Sequence, residues 1–152
     1  MAQHYMQGRY KLHHPEKYQG DSTDVVYRSS WEFRLNRFLD LNPAVVKWSS
    51  EELVIPYWSQ ADNKMRRYFV DYVVQVKGAS GLIKTFLVEV KPHSQTLPPK
   101  RGKKREKTYL RECYDYQVNQ DKWEAARDYA KKHGMEFMIF TEYELGIAKR
   151  KS

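Results

Sequence analysis

Two stretches rich in β-branched and aromatic residues, 66–76 and 82–91, flank Gly78-Ala79-Ser80-Gly81 and fix the centre of the fold. Such runs around a glycine-bounded turn read as an antiparallel hairpin. Pro92 ends the second strand, because proline cannot donate to a ladder. Side chains on a strand alternate between its faces, so Glu89 and Lys91 project together while Val88 and Val90 point the other way. With the turn centred on residues 79 and 80, Asp71 faces Val88 if the turn is symmetrical and Glu89 if it holds a one-residue bulge. Either register brings Asp71 close to Glu89. Charges in so apolar a run are costly unless paired or bound, and two facing carboxylates repel unless a cation or a proton lies between them.

That pairing suits a hard divalent cation. Mg2+ takes oxygen ligands and typically uses one or two protein carboxylates together with waters and substrate phosphate. Bound there, it would acidify a water and offset charge on a scissile phosphate. Lys91 adds a compact charge able to orient the attacking water. Glu32 is a third candidate: on a predicted helix it shares a side with Leu35 and Leu39 and would reach the metal through a water. Each has a plain structural alternative. Glu89-Val90-Lys91 alone reads as an ion pair worth roughly 0.2–1 kcal/mol, Asp71 as a strand-edge residue, and Glu32 as a first-turn glutamate favoured by the helix dipole. Their coincidence in one hairpin register is what points to catalysis.

The rest of the pattern frames this hairpin. Ser29 and Ser30 offer an N-cap to a helix over 31–41, stopped by Asn42-Pro43, with Trp31, Leu35, Phe38 and Leu39 on its inward face. Short strands are expected at 45–48 and 53–57. A helical stretch over about 106–134, broken near Val118-Asn119, carries Trp123, Ala126, Ala130 and His133 on one side and Gly134 at its C-cap. Residues 136–141 are near-continuously apolar, which predicts a strand buried within the sheet. The expected class is α/β, a mixed β-sheet flanked by helices. Residues 1–27, polar, tyrosine-rich and interrupted by Pro15 and Gly20, are expected to wrap the surface as an irregular arm. The main domain is expected at 28–148, with a basic tail at 149–152.

The chain has 152 residues and a formal net charge of +8, and that charge is local. Between 97 and 111, Lys100, Arg101, Lys103, Lys104, Arg105, Lys107 and Arg111 face Glu106 alone, and the tail adds Lys149, Arg150 and Lys151. A basic loop over 98–107 after Pro98-Pro99 on a near-neutral body is the footprint of a polyanion-binding surface, with a solvated loop as the plainer reading. Gly102-Lys103-Lys104 is not a P-loop, because neither the upstream glycine nor the following Ser or Thr is present. The histidines lack metal-ligand spacing, although His93 lies two residues past Lys91, within reach of a phosphate. The single cysteine, Cys113, excludes a disulfide framework and a cysteine-based zinc site. No apolar run approaches the roughly 20 residues of a membrane span, and no signal-peptide pattern is present, so an intracellular domain with no membrane partner is expected.

The order helix glutamate, strand aspartate, then Glu-x-Lys resembles the PD-(D/E)XK nuclease superfamily, although Val70 stands where its name places proline. Within it the chain looks most like the head completion nucleases of T-even-type tailed phages, and more distantly like the transposon endonucleases of the TnsA group. The likeness rests on Lys17-Tyr18-Gln19-Gly20-Asp21, Tyr27-Arg28-Ser29-Ser30-Trp31-Glu32, Phe69-Val70-Asp71-Tyr72, Val88-Glu89-Val90-Lys91-Pro92 and Asn119-Gln120-Asp121-Lys122-Trp123. It spans nearly the whole chain.

The resemblance implies a restriction-endonuclease-like core and a metal-dependent endodeoxyribonuclease that hydrolyses phosphodiester bonds. Asp71, Glu89 and the Val90 carbonyl would ligate Mg2+, with Mn2+ as a substitute. Lys91 would position the nucleophilic water, and Glu32 would act on the metal or its waters. Gln117, Asn119 and Lys122 are alternative accessory residues on the following helix. Lys100, Arg101, Lys103, Lys104, Arg105 and Lys107 would clamp DNA backbone, giving affinity without reading sequence, so a structure- or end-directed cutter is expected. Implied partners are DNA, phage head or portal proteins and a second copy of the chain. The implied setting is the host cytoplasm during head completion after DNA packaging, with virion association. The competing reading is a non-catalytic DNA- or portal-binding assembly factor. Against it, an inert chain has no reason to keep facing carboxylates in an apolar hairpin, where apolar replacements often stabilise.

Overall fold

In the computed structural model, which describes residues 7–150, the Ser29 hydroxyl accepts a hydrogen bond from the Glu32 amide at 3.2 Å and starts α1 (Ser30–Leu41). Satisfying an otherwise orphaned first-turn donor in this way fixes where a helix begins. The buried side chains of α1 are Leu35, Asn36, Leu39 and Asp40, whereas Phe38 is 54% exposed. The inward face is therefore rotated from the purely apolar one that spacing suggests. It carries two polar residues because other segments supply their partners.

The chain begins with β1 (Gly8–Arg9) and β2 (Val26–Tyr27), an antiparallel pair separated by a 3-10 turn at Pro15–Lys17. After α1 come β3 (Val45–Ser50), β4 (Val54–Ser59), β5 (Lys64–Phe69), β6 (Tyr72–Lys77) and β7 (Ile83–Val90). A second 3-10 turn, His93–Thr96, precedes α2 (Glu106–Lys132) and β8 (Glu136–Phe140). The central sheet runs β3-β6-β7-β8, antiparallel except for the parallel β7–β8 pair. A parallel pair needs a long crossover, and α2 supplies it. This is the expected α/β class with a mixed sheet and flanking helices.

Two apolar clusters cover the two faces of the sheet. Leu35 and Leu39 of α1 pack with Tyr10, Tyr18, Val25, Trp48, Tyr72, Val74 and Val88 on one side. Trp123, Ala126 and Ala130 of α2 pack with Ile55, Tyr57, Tyr68, Val70 and Leu87 on the other. Burial on both faces removes apolar area from water at roughly 25 cal/mol per Å2, the main stabilising contribution.

Four further expectations need correction. The strand expected over 66–76 is two strands. β5 pairs with β4 in a separate ribbon, while β6 joins the central sheet. The change of partner falls at Val70 and Asp71: the Val70 amide donates to the Leu53 carbonyl at 3.0 Å, and the Asp71 carbonyl accepts from the Glu51 amide at 3.0 Å. A propensity pattern carries no signal of that exchange. The helix expected to break near Val118-Asn119 is continuous, since it contains neither Pro nor Gly and weak helix formers cost only tenths of a kcal/mol. Its C-terminal signal is correct, with Gly134 at φ 68°. The strand at 136–141 lies at the sheet edge rather than within it, and Met138 is 39% exposed.

The fourth correction concerns the arm. Among residues 7–27, Tyr10, Tyr18 and Val25 are core side chains. The buried Asp40 carboxylate receives the Tyr10 hydroxyl, the amides of His13 and His14, and the His13 ring at 2.8–3.2 Å. Lys17 donates to the carbonyls of Leu39, Asp40 and Asn42 at 2.8–2.9 Å, capping the C-terminal end of α1 with a cation, where the dipole favours one. Gly20, at φ 143°, passes so close to Glu52 that a Cβ would sit 2.6 Å from its carboxyl. The parts of the arm and tail at residues 1–6 and 151–152 lie outside the described residues. No helix among the described residues is long and apolar enough to cross a membrane.

Candidate active site

The β6–β7 ladder pairs Tyr72 with Val88 and Val73 with Leu87, and the same register carried one step further sets Asp71 opposite Glu89. Of the two alignments open from sequence, this is the offset one. Tyr72 and Val88 face α1, so Asp71 and Glu89 fall on the α2 side of the sheet, at the end where β5 and β6 part. Asp71 Oδ2 accepts the Val90 amide at 2.8 Å, which braces it across the strand. Glu89 is 5% exposed. Its Oε1 accepts the Tyr68 hydroxyl at 2.7 Å, and its Oε2 lies 3.6 Å from Lys91 Nζ. Glu32 sits in the first turn of α1, half-buried, with Oε1 accepting the Arg28 amide at 3.1 Å. The reciprocal Ser29 and Glu32 bonds make a capping box, which is how the sequence fixes this glutamate at the helix entrance.

The electrostatics show that these groups share one environment. Burial, followed by the charge of Glu89, pushes the Asp71 carboxyl well above the usual carboxylate range against the opposing Val90 amide; Glu32 adds to the rise. Burial also raises Glu32, against the Arg28 amide and with Glu51 and Glu89 adding to the rise. Carboxylates that raise one another's proton affinity form a site short of positive charge.

Two contributors escape the sequence reading. Tyr68 looks like one more core aromatic, and its hydroxyl becomes relevant only once β5 is seen to leave the central sheet. Glu51 lies in an ordinary polar linker by sequence. In the structure its φ is 57°, its Oε1 pairs with Arg28 at 3.2 Å, and its Oε2 is buried without a hydrogen-bond partner. A non-glycine residue in the left-handed region beside this carboxylate cluster is backbone strain.

The other expected residues divide. Lys122 Nζ lies 5.6 Å from the centre of the Tyr68 ring, so it reaches the cluster through that tyrosine. Gln117 donates to Asp121, which also receives the backbone and side chain of Gln60; this network ties α2 to the tip of the β4–β5 ribbon. Asn119 is buried and lines a groove with Ser94, Leu97, Pro98 and Tyr116. His93 packs its ring edge-on to Tyr143. In the basic segment, Lys100, Arg101, Lys103, Lys104, Arg105 and Lys107 are all exposed, but Lys107 belongs to the first turn of α2, so the loop ends at Arg105. Lys104 contacts Glu112 at 2.6 Å and the Lys100 carbonyl at 2.8 Å.

Among the described residues, no three His, Cys, Asp or Glu side chains lie close enough to enclose a metal. The donor set of Asp71, Glu89 and the Val90 carbonyl is nevertheless all oxygen. It matches the one or two carboxylates Mg2+ takes from protein, leaving water and phosphate to complete the octahedron.

Residues 42–142 match the family described as TnsA-like endonuclease N terminal. The chain is also 42% identical over 133 residues to the head completion nuclease of enterobacteria phage T4, an alignment covering 83% of this chain and 84% of that protein.

Proposed function

The chain belongs to the TnsA-like endonuclease family, and from that premise we propose that it is a metal-dependent DNA endonuclease acting in phage head completion. The observation that carries this reading is Asp71 standing opposite Glu89, with Lys91 3.6 Å from Glu89, at one end of the central sheet. Asp71, Glu89 and the Val90 carbonyl would hold Mg2+ or Mn2+. Bound there, the ion would supply the Lewis acidity that lowers the pKa of a water and offsets charge on the scissile phosphate. Lys91 orients the nucleophilic water and opposes the charge that develops on phosphorus-bound oxygens. Glu32, held at the mouth of α1, accepts hydrogen bonds from water in the site. Lys122 is the accessory residue this geometry favours over Gln117 and Asn119, because only its side chain contacts a residue bonded to Glu89.

The exposed basic segment follows Lys91 closely in the chain and would grip DNA backbone without reading bases, which fits a structure- or end-directed substrate. The setting is the host cytoplasm, with head or portal proteins as partners, a second copy of the chain as a further partner, and virion association.

The test is cleavage of labelled linear, forked and single-stranded DNA with Mg2+, Mn2+ or a chelator. Metal-dependent cutting is expected, with Asp71→Asn and Lys91→Ala each lowering the rate at least about 10²-fold while DNA binding survives. Binding without cutting under every condition would favour the assembly factor.

A further inference from the structure

We propose that Tyr68 is a positioning residue that orients the Glu89 carboxylate, holding one oxygen so that the other faces Lys91 and the cation. This inference rests on the metal-dependent reading above. The two oxygens of Glu89 have different neighbours. Oε1 accepts the Tyr68 hydroxyl at 2.7 Å, and Oε2 is the atom nearest Lys91 Nζ, at 3.6 Å. A carboxylate at the end of three rotatable bonds presents a fixed atom only when the other is tethered, and partners outside a metal's own ligands commonly supply that tether.

Tyr68 is itself held firmly. It is 2% exposed and packs with Ile55, Tyr57, Val70, Leu87 and Trp123. Lys122 Nζ covers its ring at 5.6 Å. The hydroxyl is the donor in this pair, since an ionised carboxylate oxygen can only accept. The ribbon that carries it leaves the central sheet immediately before Asp71. One short segment therefore places a carboxylate, Asp71, and the hydroxyl that aligns its opposite number, Glu89.

A hydroxyl that merely satisfied a buried carboxylate would affect folding alone. Calorimetric titration of the full chain with Mn2+, without DNA, separates the two roles. Tyr68→Phe keeps the ring and should melt within a few degrees of the parent, but bind Mn2+ about 10–100-fold more weakly. Its cleavage rate should return toward the parent value at excess Mn2+, and its KM for DNA should stay unchanged. Tyr57→Phe is the control: Tyr57 is buried in the same ribbon, but its charged neighbours are Arg66, Asp62 and Asp121, so Mn2+ affinity should not move. Parent-like Mn2+ binding by Y68F overturns this proposal and leaves the nuclease reading intact. A loss shared equally by Y57F also overturns it, because the effect would then belong to ribbon packing. A parent chain that neither binds Mn2+ nor cuts DNA overturns both readings.

Discussion

Asp71 is pulled in opposite directions by folding and by the proposed chemistry. Its carboxyl is raised well above its ordinary value of 3.8 by burial and by Glu89. A group raised in the folded state adds stability below its unfolded value, and that stability is lost as pH rises through the folded one. Without metal, the preference of the folded chain for protonated Asp71 therefore costs stability near neutrality. Asp71→Asn keeps an acceptor for the Val90 amide and removes the charge, so at pH 7.5 in chelator it should raise Tm above that of the parent. The gain should vanish below about pH 4, where the parent side chain is neutral in both states. Adding Mg2+ should stabilise the parent but not the variant. Thermal melts across pH 4–8 check all three, and a variant less stable than the parent at pH 7.5 in chelator sinks the account. At this scale the sequence was informative where charge interrupts an apolar strand, as at Asp71, Glu89 and Lys91. It was silent on Tyr68 and Glu51, whose places beside these carboxylates come from a hydroxyl direction and a backbone twist.

Among the elements, the arm matters more than its composition suggests. Asp40 lies fully buried in the last turn of α1, and the four hydrogen bonds to its carboxylate all come from Tyr10, His13 and His14. Burial alone would raise this carboxyl, but the two backbone amides and the Tyr10 hydroxyl outweigh it and hold the group below its ordinary value. That contribution is present above about pH 3.8 and is lost as pH falls through the depressed value. Asp40→Asn replaces one accepting oxygen with an NH2 donor that faces other donors, so it should cost about 2–4 kcal/mol and open the arm to protease. Urea unfolding and limited proteolysis test this; an unchanged midpoint with an intact arm would refute it. Helix starts, the hairpin turn and the order of elements were legible because capping residues, glycines and β-branched runs act locally. The arm was misread because its anchoring is not local: tyrosines and a lysine scattered among polar residues fold only against a helix that comes later in the chain.

For the whole molecule, the uneven charge determines how DNA would be held. The basic segment and tail account for the entire net charge of +8, so an approaching duplex meets a localised positive surface. Lys103 and Arg105 are exposed in the segment linking the Glu89–Lys91 strand to α2. Contacts from such side chains to phosphate release condensed counterions, and each duplex phosphate neutralised contributes about 0.9 to the slope of log K against log salt. Replacing both with alanine should flatten that slope by about 2 and weaken binding equally for unrelated sequences. Cleavage at saturating DNA should stay near the parent rate, because neither side chain belongs to the Asp71–Glu89–Lys91 cluster. Fluorescence anisotropy across a salt series, with two unrelated duplexes, measures slope and sequence dependence together. An unchanged slope would mean that DNA lies elsewhere on the surface and that the segment only keeps the protein in solution. Loss confined to one sequence would mean that the segment reads bases. The uniform, salt-dependent loss is the result required of a clamp that holds backbone while a separate carboxylate pair does the cutting.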